Sequence, residues 1–162
     1  MTVSSVPLYL LLVIVVAAAV QDVAQLRISN FFPLIVIGLY IASGVIMGNW
    51  HLLDSMVLFL TILAAGAALF HYGILGGGDV KLLCALALWC SFSTIGWLLL
   101  SIVMFGGLVA LFFMFTRRLL PSALTKRLGW SSLIRRGPIP YGVAIASGVI
   151  LCFTLISPPT TG

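Results

Sequence analysis

The sequence predicts an all-α membrane protein that crosses the bilayer several times. Apolar residue types make up 62% of the 162 residues and charged types only 7%, with eight Lys or Arg, three Asp and no Glu. A soluble domain carries about 25% charged residues, and a disordered chain is poor in apolar residues. The composition therefore excludes both classes and predicts one integral-membrane domain over residues 1–162.

Long stretches without charge define the predicted spans. An α-helix needs about 20 apolar residues to cross about 30 Å of hydrocarbon, and four stretches of the chain fit one span each. The stretch 82–116 has 35 residues and would be ~52 Å long as one helix, too long for one crossing. We therefore expect a turn at Ser91–Gly96. The six predicted spans are 4–22, 31–48, 54–71, 79–91, 95–116 and 140–157.

The basic residues predict the orientation of these spans. With both termini outside, all eight Lys and Arg fall on the cytoplasmic side, and the outer loops near 49–53 and 91–95 carry none. Five spans would leave the basic cluster of the loop 117–137 outside, against the positive-inside rule. This loop fits either an amphipathic helix in contact with the lipids of the inner leaflet or a solvated loop. The sequence predicts six spans with cytoplasmic basic loops.

Other kinds of site find little support in the sequence. The net charge of +5 is distributed between apolar spans, which is typical of topology signals and not of a nucleic-acid-binding patch. Cys84, Cys90 and Cys152 lie in apolar runs and form no CxxC pair, and there is no HExxH motif. We therefore expect no nucleic-acid partner, no metal and no other cofactor.

The three acidic residues are the candidate chemical groups, because a carboxylate within a span costs about 2.5–3.5 kcal/mol on insertion scales. Asp54 begins the third span and is interpreted as a helix N-cap. Asp22 ends the first span and Asp79 begins the fourth, so the predicted topology places both at the cytoplasmic face. If they meet, they share a proton, and one can act as general base on a water and the other as general acid. The alternative makes Asp22 a polar helix end and Asp79 an N-cap.

Three consecutive glycines, Gly76, Gly77 and Gly78, directly precede Asp79. Glycine permits backbone conformations that other residues avoid and lets another backbone come close. An unwound strand here, lining a cavity inside the protein, would offer backbone edges to an extended peptide. A flexible linker between two spans is the alternative.

The segment Gly76–Leu82 reads Gly-Gly-Gly-Asp-Val-Lys-Leu, and Asp22 is followed by Arg27, Ile28 and Asn30. Both patterns resemble motifs of the type IV prepilin peptidase family of intramembrane aspartic proteases. The segment Gly76–Leu82 is similar to the family motif Gly-x-Gly-Asp-x-Lys-Leu, and the surroundings of Asp22 resemble its first motif, an Asp followed by Arg-Ile-Pro-Asn.

A late element extends the resemblance. Pro140-Tyr141-Gly142 is similar to a Pro-Tyr-Gly element of the family, so that the likeness covers about residues 8–155. Ser29 departs from the pattern, because the family often has proline there. The resemblance is greatest to the short prepilin peptidases of Tad/Flp pilus systems.

The resemblance implies an aspartic endopeptidase of the bacterial inner membrane that removes the short basic leader from Flp-like prepilins at the cytoplasmic face. It implies that Asp22 and Asp79 are the catalytic dyad, that Gly76 and Gly78 shape the site, and that Lys81 supports it. For Lys81, an interfacial anchor is an equal alternative. Long family members carry paired CxxC motifs linked to N-methylation, so for this chain we expect peptidase activity only.

Two other functions are open. In a small proton- or ion-coupled transporter or a channel subunit, Asp22 and Asp79 would be relay groups and the glycines a broken helix at a binding site. In a structural partner, small-residue faces would bind other helices without chemistry. A transporter needs a sealed membrane to act and a protease does not, which separates these two functions.

Overall fold

The protein, as a computed structural model, is described over residues 6–48, 52–119 and 141–156. These ranges contain six α-helices and no strand, which confirms the predicted helical class. The helices are α1 Val6–Gln25, α2 Phe31–Met47, α3 Leu52–His71, α4 Gly77–Ala87, α5 Phe92–Leu119 and α6 Tyr141–Leu151, which a π-helical turn extends over Cys152–Ile156. Apart from its first three residues, which end α5, the predicted loop 117–137 lies outside the described residues.

Three of the described helices are long and apolar enough to cross a membrane. They are α1, α3 and the segment Phe92–Phe112 of α5. α2 and α6 are apolar but shorter. The prediction of a helical membrane protein is thereby confirmed, whereas the number of six spans and their orientation stay predictions.

The predicted break in the apolar stretch 82–116 is present but lies earlier than expected. α4 ends at Ala87 and α5 begins at Phe92, so Ser93–Gly96 belong to the first turns of α5. Ser91 caps this helix, because its Oγ accepts a hydrogen bond from the N–H of Thr94 at 3.3 Å. A hydroxyl at this position satisfies an N–H that has no partner within the helix. The polar cluster at the break therefore starts a helix instead of forming a loop.

α4 is the most enclosed of the described helices. Seven of its eleven residues are buried, and it packs against α2 and α3 and touches α6. An 11-residue helix is only about 16 Å long. Because it contacts protein on several sides, α4 does not need the length of a lipid-facing span. The fold thus holds the first turn of α4, which carries Asp79, inside the protein.

α5 and α6 run antiparallel at close range. The thiol of Cys152 donates to the carbonyl of Thr94 at 4.0 Å, and farther along the pair Gly148 approaches Ile102 and Gly106 approaches Ala144. Residue numbers therefore rise on one helix as they fall on the other. The end of α5 and the start of α6 consequently lie at the same end of the bundle.

Buried and partly buried hydrogen bonds fix the far end of α4 to α2 and α3. Ser55, only 2% exposed, donates to the carbonyl of Leu88 at 3.0 Å and accepts from the hydroxyl of Tyr40 at 2.8 Å. The indole N–H of Trp89 donates to the carbonyl of Val36 at 3.3 Å. The start of α3 and the end of α4 are thus joined by one hydroxyl group.

We expect Ser55→Ala to lower the free energy of unfolding by about 1–3 kcal/mol, because two bonds are lost in a buried place. Thr61→Ala is the control on the same helix. Within the described residues its exposed hydroxyl bonds only to the carbonyl of Val57 one turn earlier, so a change below about 0.5 kcal/mol is expected. Denaturant titration of both variants in micelles measures the difference, and equal losses would contradict this role of Ser55.

Candidate active site

Asp22 and Asp79 are buried at the same end of the bundle. Their exposed fractions are 5% and 9%, and the link that follows α1 packs against the first turn of α4, where Gly78 approaches the backbone of Ile28. The end of α1 and the starts of α2, α4 and α6 meet here, and we name this region the acidic end. The structure thus places at one end of the bundle the two carboxylates that the sequence singled out. Asp54 does not join them, because it lies on the first turn of α3 beside Ser55, at the far end of α4.

α6 holds the side chain of Asp22. The N–H of Gly142 donates to Asp22 Oδ2 at 2.8 Å in a buried position. Gly142 is the second residue of α6, so its N–H has no acceptor within that helix. A Cβ at residue 142 would stand 2.8 Å from the Cβ of Asp22, closer than side-chain carbons approach. α1 and α6 therefore meet at a point where only glycine fits.

Asp79 is held by the start of its own helix. Gly76 precedes α4 in an extended conformation, with φ −72° and ψ 145°, and its N–H donates to Asp79 Oδ2 at 3.2 Å. Asp79 is the third residue of α4, the position from which an acidic side chain can reach back to the N-cap N–H. The structure therefore corrects the N-cap interpretation of Asp79 to a first-turn position. The same correction applies to Asp54, since α3 begins at Leu52.

The glycine run is a helix start and not the expected unwound strand. Only Gly76 is extended, whereas Gly77 and Gly78 belong to the first turn of α4. A Cβ at residue 78 would stand 2.9 Å from the carbonyl oxygen of Ile28, and one at residue 76 would stand 2.7 Å from Asp79 Oδ2. At residue 77, a Cβ would make only an ordinary contact, at 3.4 Å from the ring of Phe70. Glycine is thus required by backbone packing at residue 78, whereas a side chain at residue 76 would displace the Asp79 carboxylate and residue 77 has room for one.

The link between α1 and α2 turns sharply beside α4. Leu26 has φ 54°, in the left-handed region, and its N–H donates to the carbonyl of Asp22 at 2.7 Å, which ends α1. The N–H of Ser29 donates to Oε1 of Gln21 at 2.9 Å. Proline has no N–H and could not make this bond. With serine at residue 29, the backbone of the link is therefore bonded to the side chain of Gln21 on α1.

Lys81 contacts the start of α2 and not the acids. Its Nζ donates to Oδ1 of Asn30 at 2.9 Å in an exposed position, and in the described part of the chain it forms no ion pair with Asp22 or Asp79. The bond connects the second turn of α4 to the residue before α2. Both residues belong to the motifs found in the sequence, but their contact was not predicted.

If this contact positions α4, then Lys81→Met and Asn30→Ala should lower the rate of substrate turnover by similar factors, and the double variant should be no slower than either one. Two residues that act through one bond are not additive. If Lys81 is instead an interfacial anchor, Asn30→Ala will leave the rate unchanged while Lys81→Met lowers the yield of inserted protein. Steady-state rates per folded enzyme and membrane yields separate these two results.

The arrangement of the two acids is suited to acid–base chemistry. Each uses Oδ2 to accept one backbone N–H, from Gly142 or from Gly76, and among the described residues Oδ1 of each accepts no hydrogen bond. Two neighbouring carboxyl groups share protons as a coupled pair. One can take a proton from a water while the other gives one to a substrate oxygen. No group of three or more His, Cys, Asp or Glu within the described ranges could hold a metal ion.

The role of Gly142 was missed by reasoning from the sequence. The Pro-Tyr-Gly element was noticed for its resemblance, but no spacing rule connects residue 142 to a side chain 120 positions earlier. Its signal was a glycine immediately inside a predicted span, which permits close approach of another backbone.

Comparison with known proteins agrees with the motifs. A family model described as the type IV leader peptidase family matches residues 9–114, a range that includes Asp22, the glycine run, Asp79 and Lys81. Neither a curated protein nor a solved structure matches the chain. The matched range exceeds half of the sequence and spans α1 to most of α5. The chain therefore belongs to the type IV leader peptidase family, whose members are proteases that act on prepilins.

Proposed function

We propose that this protein is an aspartic endopeptidase that removes the basic leader from prepilins, with Asp22 and Asp79 as its catalytic dyad. One observation carries the proposal. Two carboxylates from separate helices are buried at the acidic end, and each accepts a hydrogen bond from a glycine N–H. Burying two acids is costly, and the apolar packing of the helices does not need them.

The proposed reaction is general acid–base hydrolysis of a peptide bond. The ionised carboxylate takes a proton from a water held between the acids, and the oxygen of that water attacks the carbonyl carbon. The protonated carboxyl group gives its proton to the carbonyl oxygen, which forms a tetrahedral diol. The diol then collapses, the C–N bond breaks, and a proton passes to the leaving nitrogen. The products are the carboxylate of the leader and the amine of the mature pilin.

The same proposal places the acidic end at the cytoplasmic face of the bacterial inner membrane. Arg27 lies in the link at this end and Lys81 lies on α4, and the antiparallel packing of α5 on α6 brings Arg117 and Arg118 to the same end. Basic residues accumulate on the cytoplasmic side of membrane proteins. Six spans with the start of α1 outside satisfy this rule, with α4 as an enclosed, short member.

For the substrate we propose Flp-like prepilins, because the motifs are most similar to those of the short Tad/Flp peptidases. The basic leader would lie in the cytoplasm and the apolar pilin helix in the bilayer. We assign leader cleavage alone, without N-methylation, since Cys84, Cys90 and Cys152 are buried and form no CxxC pair.

The proposal is tested with purified protein and a prepilin in detergent micelles. Wild-type protein is expected to release the leader there, and Asp79→Asn is expected to stop the release. A carrier that uses the same acids as relay groups would cleave nothing in micelles and would show its defect only as lost ion flux in sealed vesicles. If wild-type protein cleaved nothing and an ion flux depended on Asp79, the protein would be a carrier and the proposed protease function would be wrong.

A further inference from the structure

We infer that the backbone N–H of Gly142 is a positioning group of the active site, so that the start of α6 sets the orientation of the Asp22 carboxylate. This inference rests on the proposed function. It adds a group outside the range that matches the family model, which ends at residue 114.

The hydrogen bond is short and enclosed. Gly142 N–H and Asp22 Oδ2 are 2.8 Å apart, and the contact is buried. A hydrogen bond from an N–H to an ionised carboxylate is roughly twice as strong as a hydrogen bond between neutral groups. Because Asp22 is only 5% exposed, bulk solvent compensates poorly for the loss of this bond. The bond therefore restricts rotation of the Asp22 side chain and leaves Oδ1 for the water and the substrate.

Glycine is the residue that makes this contact possible. The N–H of the second residue in a helix is one of the four without an intrahelical acceptor, so it is available to a neighbouring chain. A side chain at residue 142 would collide with Asp22, because its Cβ would stand 2.8 Å from the Cβ and 3.0 Å from Oδ2 of that residue. The bond to Asp22 therefore needs both a free N–H and the absence of a side chain at residue 142.

The contact differs from ordinary helix packing elsewhere on α6. Gly148 also meets a neighbour closely, with a Cβ that would stand 2.8 Å from the backbone nitrogen of Ile102 on α5. The contact between Gly148 and Ile102 packs two apolar helices against each other and includes no acidic side chain. Gly148 is therefore a matched control for the steric part of a substitution at Gly142.

We expect Gly142→Ala to lower kcat on the order of 100-fold, the loss typical of a misplaced catalytic group, with KM changed less than about threefold. Gly148→Ala should lower the thermal stability but leave kcat per folded enzyme near the wild-type value. If both variants show the same unchanged kcat, Gly142 serves packing alone and the inference is wrong.

A second pair of variants removes N–H groups without adding atoms, and so covers the case in which Gly142→Ala does not fold. Replacing the amide of Gly142 by an ester, with glycolic acid at that position, deletes only the donor. The same change at Tyr141 deletes the adjacent N–H, which makes no bond to Asp22. We expect the ester at 142 to lower kcat at least tenfold and the ester at 141 to leave it unchanged. Equal rates for the two esters would overturn the inference.

The outcomes separate this inference from the proposed function. If Asp22→Asn cleaves prepilin at the wild-type rate, the proposed dyad is wrong whatever Gly142 does. If Asp22→Asn is inactive while the ester at 142 has wild-type kcat, the dyad stands and only the positioning role of Gly142 is wrong.

Discussion

Replacing either buried acid by asparagine is expected to lower the rate of leader cleavage by about 10²- to 10⁴-fold, the range of general acid–base catalysis. An amide has the shape of a carboxyl group but can neither take a proton from water nor share one with a neighbouring acid. Asp22→Asn and Asp79→Asn should therefore fold and still bind prepilin. The measurement is kcat for leader release by each purified variant, with the folded fraction determined in parallel.

The chain supplies its own control for this experiment. Asp54 is the remaining one of the three acidic residues, it is exposed, and it lies on the first turn of α3 away from the acidic end. Asp54→Asn makes the same chemical change without touching the dyad, so kcat should stay near the wild-type value. If all three variants cleaved equally well, neither Asp22 nor Asp79 would be catalytic.

The second large effect is expected from Gly78→Ala. A methyl group at residue 78 would stand 2.9 Å from the backbone carbonyl oxygen of Ile28, and a backbone group cannot rotate away as a side chain can. The start of α4 must then move from the link beside it, which carries Asp79 away from Asp22. A shift of about 1 Å in a catalytic group costs on the order of 100-fold in rate, and the distorted packing also lowers the thermal stability.

Gly77→Ala is the matched control, one residue earlier in the same motif. The nearest neighbour of its methyl group would be the ring of Phe70, at an ordinary contact distance of 3.4 Å, and alanine favours a helix over glycine by roughly 0.5–1 kcal/mol. We expect wild-type kcat and an unchanged or higher unfolding temperature. Cleavage rates and unfolding curves of the two variants together test this explanation of the Gly-x-Gly-Asp spacing. Equal losses in both would contradict it.

The helical membrane class and the common end of the two acids followed from composition and from the bias of the basic residues. Both are properties that local sequence carries, because crossing lipid requires long apolar helices and basic residues mark one side. Whether Asp22 and Asp79 act on each other stays a prediction from that topology.

Details of the site depend on contacts that sequence patterns do not encode. Glycine disfavours helices, so the run at Gly76–Gly78 suggested an unwound strand. The packing of Gly78 on Ile28 and the bond from Gly76 to Asp79 favour a helix start instead. The contact between Gly142 and Asp22 joins the first described helix to the last. The periodicity of apolar residues does not predict contacts between residues so far apart in the sequence.

The central claim is that Asp22 and Asp79 act as one unit on a water molecule, and the rate of the double variant Asp22→Asn/Asp79→Asn tests it most directly. Groups that act together are strongly non-additive, so that removing the second costs little once the first is gone. We predict that the double variant releases the leader no more slowly than the slower single variant. A double variant slowed by the product of the two single effects, or a single variant with the wild-type rate, would contradict a shared catalytic role.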